Sequence, residues 1–314
     1  MYTVTIFGIT LTINPIAFTL PIGDGWDVYW YGIIIAIGFL AAVIYAMFVA
    51  KRYEIDTDRM LDVALVTTPI AILCARLYYV IFDGEKLESV ADFFGFGDNS
   101  GFKGLAIYGG VIGAFACGML MCKLRKLNVL DMFDLAATCF LLAQGIGRWG
   151  NFFNQEAYGT FTGSSWWGMM SNQTVYEMGA GLVHPCFLYE FVWCIAGFFI
   201  LNHLGKHRKF KGELVLGYGI WYGFGRGFIE LLRTDSLMLG NIRVSSLLSF
   251  TLFAVCLALF IWAYKRSQKT RVATEYVSMF EENEEAENTS ADSETELSDL
   301  DAVDEEMVAD EQDN

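Results

Sequence analysis

Three arginines, Arg76, Arg148 and Arg226, interrupt long apolar runs of this chain, and two of them belong to polar stripes. Arg226, Glu230 and Arg233 follow at i, i+4 and i+7, one face of a helix. Two guanidinium groups flanking one carboxylate leave a positive charge that calls for an anion. A phosphate suits it, because the guanidinium fork grips two oxygens at once. The stretch QGIGRWGNFFNQEAYG, residues 144–159, sets Gln144, Arg148, Asn151 and Gln155 at i, i+4, i+7 and i+11. Asn154, Glu156 and Gly159 follow. An apolar helix ending in such residues suits an aqueous pocket better than lipid. These stripes point to the handling of an anionic lipid without specifying a reaction. The competing explanation is structural: each arginine snorkels to the interface, or pairs with Glu190 or Glu230. Gly145, Gly147 and Gly150 are equally explained by close helix packing.

The elements that must carry these residues are membrane helices. Of 314 residues, 54% are hydrophobic and only 18% charged, whereas soluble domains carry about 25% charged residues. Spanning about 30 Å of hydrocarbon takes about 20 helical residues. Seven segments qualify: 28–50, 60–82, 105–122, 131–150, 185–204, 213–232 and 243–264. The YGGVIG start of the third suggests a helix approached from a loop that dips into the membrane. Alternate connections are basic: Lys51, Arg52 and Arg59; Lys123, Arg125 and Lys126; Lys206, Arg208, Lys209 and Lys211; Lys265, Arg266, Lys269 and Arg271. The intervening ones hold Lys86 with Lys103, and Arg233 with Arg243, while residues 1–27 and 149–184 hold no Lys or Arg. By the positive-inside rule the N-terminus lies outside and the C-terminus in the cytoplasm. With no base before Lys51, the first run is expected to stay as an anchor rather than be cleaved. The expected fold is therefore an all-α integral membrane protein with seven transmembrane helices and an outward-facing polar cavity.

Two regions are expected: a seven-span membrane domain, 1–272, and a cytoplasmic acidic tail, 273–314. Residues 281–314 hold 16 Asp/Glu and no Lys/Arg, so the remainder is nearly neutral with 20 acids and 21 bases. A segment so charged buries too little apolar surface to offset ordering and should be disordered. The seven cysteines form no CxxC pair or Cys/His cluster, so neither a disulfide framework nor a metal site is indicated, and no cofactor is expected. The bases follow topology rather than forming a patch, which argues against nucleic-acid binding. Trp30 and Tyr31 suit interfacial anchoring.

GRWGNFFNQEAYG (147–159) resembles the signature of the prolipoprotein diacylglyceryl transferase family. WYG at 30–32, ARLYYV at 75–80, YGGVIG at 108–113, HPCFLYE at 184–190 and GRGFIELLR at 225–233 agree in order and spacing, covering about residues 26–264. The resemblance implies a seven-span enzyme of the bacterial cell membrane. It would move a diacylglyceryl group from phosphatidylglycerol to the lipobox cysteine of preprolipoproteins, releasing glycerol 1-phosphate. It singles out Tyr31, Arg148, Asn151, Glu156, Gly159, Arg226, Glu230 and Arg233. One departure stands out. The best-known form of the HGG motif has His where this chain has Tyr108, before Gly109 and Gly110.

The chemistry asks for positive charge. A thiol sulfur must displace a phosphate-ester oxygen at the terminal glycerol carbon, and nearby cations lower a thiol pKa from about 8.5. The departing phosphate gains negative charge, so fixed guanidinium groups favour the transition state. Arg148 is assigned to the headgroup phosphate and Arg226 to the reacting centre, with Glu230 orienting Arg226. Asn151, Glu156 and Tyr31 are expected to bond the headgroup and position Arg148; Gly159 and Arg233 complete the substrate site. Tyr108 is expected to donate a hydrogen bond or relay a proton, although a phenol of pKa about 10 is a poor base. The alternative function is a transporter or flippase for an anionic lipid or solute. That reading expects polar sites continuing toward the cytoplasm, of which residues 123–143 offer few.

Overall fold

The computed structural model describes residues 2–21, 25–83, 93, 104–234, 238–239 and 242–270. The acidic tail expected at 273–314 lies outside the described residues. Two units divide the chain, Met1–Phe260 and Ile261–Asn314.

Among the described residues, six helices are long and apolar enough to cross a membrane: Trp30–Tyr53, Thr57–Phe82, Ile107–Leu124, Val129–Asn154, Cys186–His207 and Val244–Thr270. The long helices are named α1 (Trp30–Val49), α2 (Thr57–Asp83), α3 (Ile107–Leu124) and α4 (Val129–Asn154). A short α5 (Asn172–Met178) precedes α6 (Cys186–Leu204), α7 (Glu213–Leu232) and α8 (Val244–Thr270). α7 is less apolar than the six, because its 20 residues include five glycines beside Glu213, Arg226 and Glu230. Its burial explains how it carries them: Glu213, Glu230 and four glycines are buried inside the protein.

Local chemistry fixes the helix ends. Asn128 caps α4, its side-chain oxygen accepting from the N–H groups of Leu130 (3.0 Å) and Asp131 (3.2 Å). Gln155 ends α4 in the left-handed conformation, φ 57°. The stripe expected through Gln155 therefore stops at Asn151. Gln155 leaves the helix and accepts from the backbone of Gln173 at 3.3 Å. Tyr108 lies in the first turn of α3, at the helix start expected for YGGVIG.

α2 and α3 pack as a pair; a Cβ on Gly109 would stand 2.4 Å from both the Cys74 carbonyl and the Tyr78 Cβ. α4 packs along α1, α6 and α7. Where the short connections meet, Tyr53, Met60, Leu135 and Leu214 form a buried core.

The all-helical expectation needs one addition, a small β head. Strands β1 (Tyr2–Ile6), β2 (Ile9–Ile13), β3 (Ile16–Leu20) and β4 (Trp26–Tyr29) precede α1, and β5 (Met169–Ser171) follows α4. Two-residue strands β6 (Met238–Leu239) and β7 (Ile242–Arg243) lie between α7 and α8. One sheet is ordered β2-β1-β5, and β3 pairs with β4 in a separate ribbon. Alternating Thr and branched residues in YTVTI and ITLTI favour a half-buried strand. Val4 and Ile13 turn inward onto Phe152, Met169, Val183 and Phe187.

Candidate functional site

α4, α6 and α7 bring five charged side chains into one cluster. Glu190, in the first turns of α6, is only 1% exposed and takes three arginines. Its Oε2 meets Arg148 of α4 at 2.6 Å, and its Oε1 accepts from Arg226 of α7 and faces Arg233 at 3.5 Å. Glu230 closes the set, 2.5 Å from Arg226 and 3.8 Å from Arg233. The i, i+4 stripe of α7 is thus completed by one acid from α6 and one base from α4.

The charges do not balance: three guanidinium groups face two carboxylates. The carboxylates are sealed at 1–2% exposure, while the arginine side chains keep 12–21% of their surface open. Buried ions are costly unless paired, so the acids stabilise the arginines from within. The accessible side of the cluster is cationic. Such a surface is chemically suited to an anion.

Two structures brace this cluster. Arg148 also donates to the Tyr222 hydroxyl at 3.5 Å; Tyr222 stacks on Tyr218, which donates to Gln144 at 3.2 Å. Deeper between α6 and α7, Trp193 and Trp221 stack with ring centroids 4.2 Å apart. Each indole N–H donates to the other's backbone carbonyl at 2.9 Å. Arg243 donates to the carbonyls of Glu230 (2.5 Å) and Arg233 (2.9 Å) at the end of α7. A cation there also complements the helix dipole.

Arg233 reaches the head through a backbone ladder. Gly159 pairs with Arg233, and Thr160 N–H donates to the Leu232 carbonyl at 2.9 Å. Gly159 N–H donates to the His184 carbonyl at 2.8 Å, and Val183 pairs with Met169 of β5. Glycine is required at 159 by this close approach. A Cβ would fall 2.7 Å from the Leu232 carbonyl oxygen and 2.9 Å from Cys186 Sγ and His184 Cβ.

The remaining expected residues gather at the end of α4. Asn151 and Asn154 donate to one oxygen of Glu156 at 2.7 and 3.4 Å. The Tyr31 ring covers Gly150, where a Cβ would be 2.7 Å from it, and Tyr31 lies within electrostatic reach of Glu156 and Arg148. Asn151 is three residues beyond Arg148 on α4, so this group borders the cluster. Tyr108 lies on the α2–α3 pair, its ring centroid 6.4 Å from that of Tyr78. Arg76 lies apart, 3% exposed and donating to the carbonyls of Phe93 (3.1 Å) and Gly104 (3.4 Å).

A family model described as prolipoprotein diacylglyceryl transferase matches residues 15–262. The phosphatidylglycerol–prolipoprotein diacylglyceryl transferase of Limosilactobacillus reuteri is 42% identical over 264 residues, covering 81% of this chain and 92% of that protein. Its counterpart in Clostridium novyi is 41% identical over 266 residues, covering 82% and 98%. That of Pediococcus pentosaceus is 43% identical over 261 residues, covering 81% and 91%. The chain belongs to the prolipoprotein diacylglyceryl transferase family.

Within this family member, sequence reasoning gave Glu190 only the part of a possible ion-pair partner, yet three arginines converge on it. Its signal was available: it is the one acid in the apolar run of α6, and lone intramembrane acids require partners. Tyr222, Trp193 and Trp221 carried no such signal, since aromatic residues in a membrane helix pass for packing. The stretch 123–143 is more polar inside than expected. Asp134 is fully buried, and Asp131 pairs with Arg208 and Lys211, both at 2.7 Å. Asp134 accepts from the N–H groups of Gly212 (2.8 Å), Leu214 (2.9 Å) and Val215 (2.9 Å) and from Arg208 (3.0 Å). It caps the start of α7. Leu141, fully buried on the same helix, lies between this pair and Gln144.

Proposed function

We propose that this chain transfers the diacylglyceryl group of phosphatidylglycerol to the lipobox cysteine thiol of preprolipoproteins, releasing glycerol 1-phosphate. Membership of the family supports the reaction, and the cluster of three arginines on two sealed carboxylates supports where it takes place. The attacking sulfur forms a bond to the terminal glycerol carbon of the lipid as the carbon–oxygen bond to phosphate breaks. Negative charge moves from the sulfur to the phosphate. Arg148 holds the headgroup phosphate, and Arg226 stands at the reacting centre, oriented by Glu230. Arg233 adds a third cation to the same site. Guanidinium groups held by Glu190 need no rearrangement as charge develops, and that preorganisation lowers the barrier. Asn151, Glu156 and Tyr31 bond the glycerol headgroup beside Arg148, and Gly159 keeps the backbone close to Arg233. Tyr108 contributes a hydrogen bond or a proton relay from the α2–α3 pair.

In this reading α7 is a seventh span, made tolerable by internal pairing of its charges. The β head and the arginine cluster face the outside of the bacterial cell membrane, through a polar cavity, and the C-terminal tail lies in the cytoplasm. Protein reconstituted with labelled phosphatidylglycerol and a lipobox peptide tests the reaction. A thioether-linked diacylglyceryl peptide with an equal amount of glycerol 1-phosphate is expected. Lipid redistribution between leaflets without product would replace the reading with a flippase.

A further inference from the structure

The β3–β4 ribbon is amphipathic, and its cross-strand register shows how. Phe18 pairs with Val28 and Leu20 with Trp26, whereas Thr19 pairs with Asp27 between them. Cross-strand partners share a face and neighbours along a strand alternate. One face therefore carries Phe18, Leu20, Trp26 and Val28, and the other carries Thr19 and Asp27. The polar face is internally satisfied, with Thr19 Oγ1 donating to Asp27 Oδ1 at 2.6 Å. The apolar face is open: Phe18 is 50% exposed and Trp26 58%. No buried core among the described residues includes any of its four side chains.

The position of the ribbon identifies what covers that face. Tyr29, the last residue of β4, is the N-cap of α1, and Trp30 begins the helix. Trp30 N–H donates to the Pro15 carbonyl at 2.9 Å, which ties both ends of the ribbon to the head of the first span. The exposed apolar surface thus continues into the exposed flank of a membrane helix, including Ile35, Ile37 and Leu40. Residues 14–31 contain no Lys or Arg. Trp and Tyr at the end of a span favour the boundary between headgroups and acyl chains, and amphipathic elements lie there with one face immersed.

We infer that the β3–β4 ribbon is a membrane-surface anchor, its Phe18–Leu20–Trp26–Val28 face immersed in the headgroup boundary of the leaflet at the start of α1. The partner is a lipid surface. The inference requires that α1 spans the bilayer and does not depend on the transfer reaction, so either can fail without the other.

The test reads Trp26 in the full chain, reconstituted in vesicles of phosphatidylethanolamine and phosphatidylglycerol. Subtracting the emission of Trp26→Phe from that of the unmodified protein isolates the Trp26 contribution. Acyl chains brominated near the headgroup should abolish most of that difference, and chains brominated near the methyl end should leave most of it. An undiminished difference with both lipids, as a protein-covered or water-facing indole would give, overturns the inference. Stronger loss from the deep bromines overturns it too. In Phe18→Ser/Leu20→Ser, with Trp26 retained, the emission should shift to the red and the shallow quenching should weaken. Unchanged quenching in that variant would show that the apolar face does not hold the ribbon in place.

Discussion

Arg148 and Glu190 meet at 2.6 Å across the packing of α4 against α6, and the second oxygen of the same carboxylate takes Arg226 from α7. One acid therefore fixes the relative placement of guanidinium groups from two other helices. The arrangement separates two positions: the acids hold the cluster together from inside, and the arginines keep the accessible side.

Glu190→Gln keeps the shape of the side chain and removes the charge. Breaking a buried pair typically costs about 3–5 kcal/mol. The arginines would then repel one another and lose their fixed geometry. Transfer to a lipobox peptide should fall by about a hundredfold or more, within the range for lost preorganised electrostatics. A variant that folds normally and retains full transfer would remove Glu190 from the site.

Arg148→Lys and Arg226→Lys retain the charge but lose the planar fork. Both should reduce transfer sharply while leaving the protein in the membrane. Arg148→Lys should act through the KM for phosphatidylglycerol as well as the rate. Full activity of both, measured with labelled phosphatidylglycerol, would overturn their assignment.

Gly159→Ala would place a methyl group 2.7 Å from a backbone oxygen and 2.9 Å from two side-chain atoms. The backbone oxygen belongs to Leu232, next to Arg233, so relief requires moving the residue that carries the third cation. Overpacking of this kind costs about 1–3 kcal/mol. Activity should drop further than stability, a split that parallel transfer assays and thermal unfolding in detergent would reveal.

Asp134→Ala tests the opposite case, a buried charged residue with a structural task. The carboxylate accepts three backbone N–H groups and an Arg208 bond. Its loss should destabilise the protein by about 3–5 kcal/mol, seen as a lower Tm. The KM of the surviving folded protein for phosphatidylglycerol should be unchanged; a raised KM would tie this cluster to the substrate path.

The membrane helices were legible because apolar length is a strong signal, as α1 and α8 illustrate. The stripe of Arg226, Glu230 and Arg233 was legible because helical spacing determines which side chains share a face. The convergence on Glu190 was not, since helical periodicity says nothing about which face of α6 meets α4 and α7. The head was missed for a different reason. Strands of five residues such as YTVTI are too short to outweigh their apolar surroundings, and β1 finds its second partner, β5, more than 160 residues later. The turn at Gln155 also escaped, because a left-handed cap at a residue other than Gly leaves little compositional trace.

Trp193 and Trp221 lock α6 and α7 by two opposed hydrogen bonds and a stacked ring pair. Sliding one helix along the other would have to sever both bonds together, so the pair behaves as a latch against axial slip. Glu190 lies three residues from one side of that latch and Arg226 five from the other. Their alignment is thereby built into the pairing of the two helices.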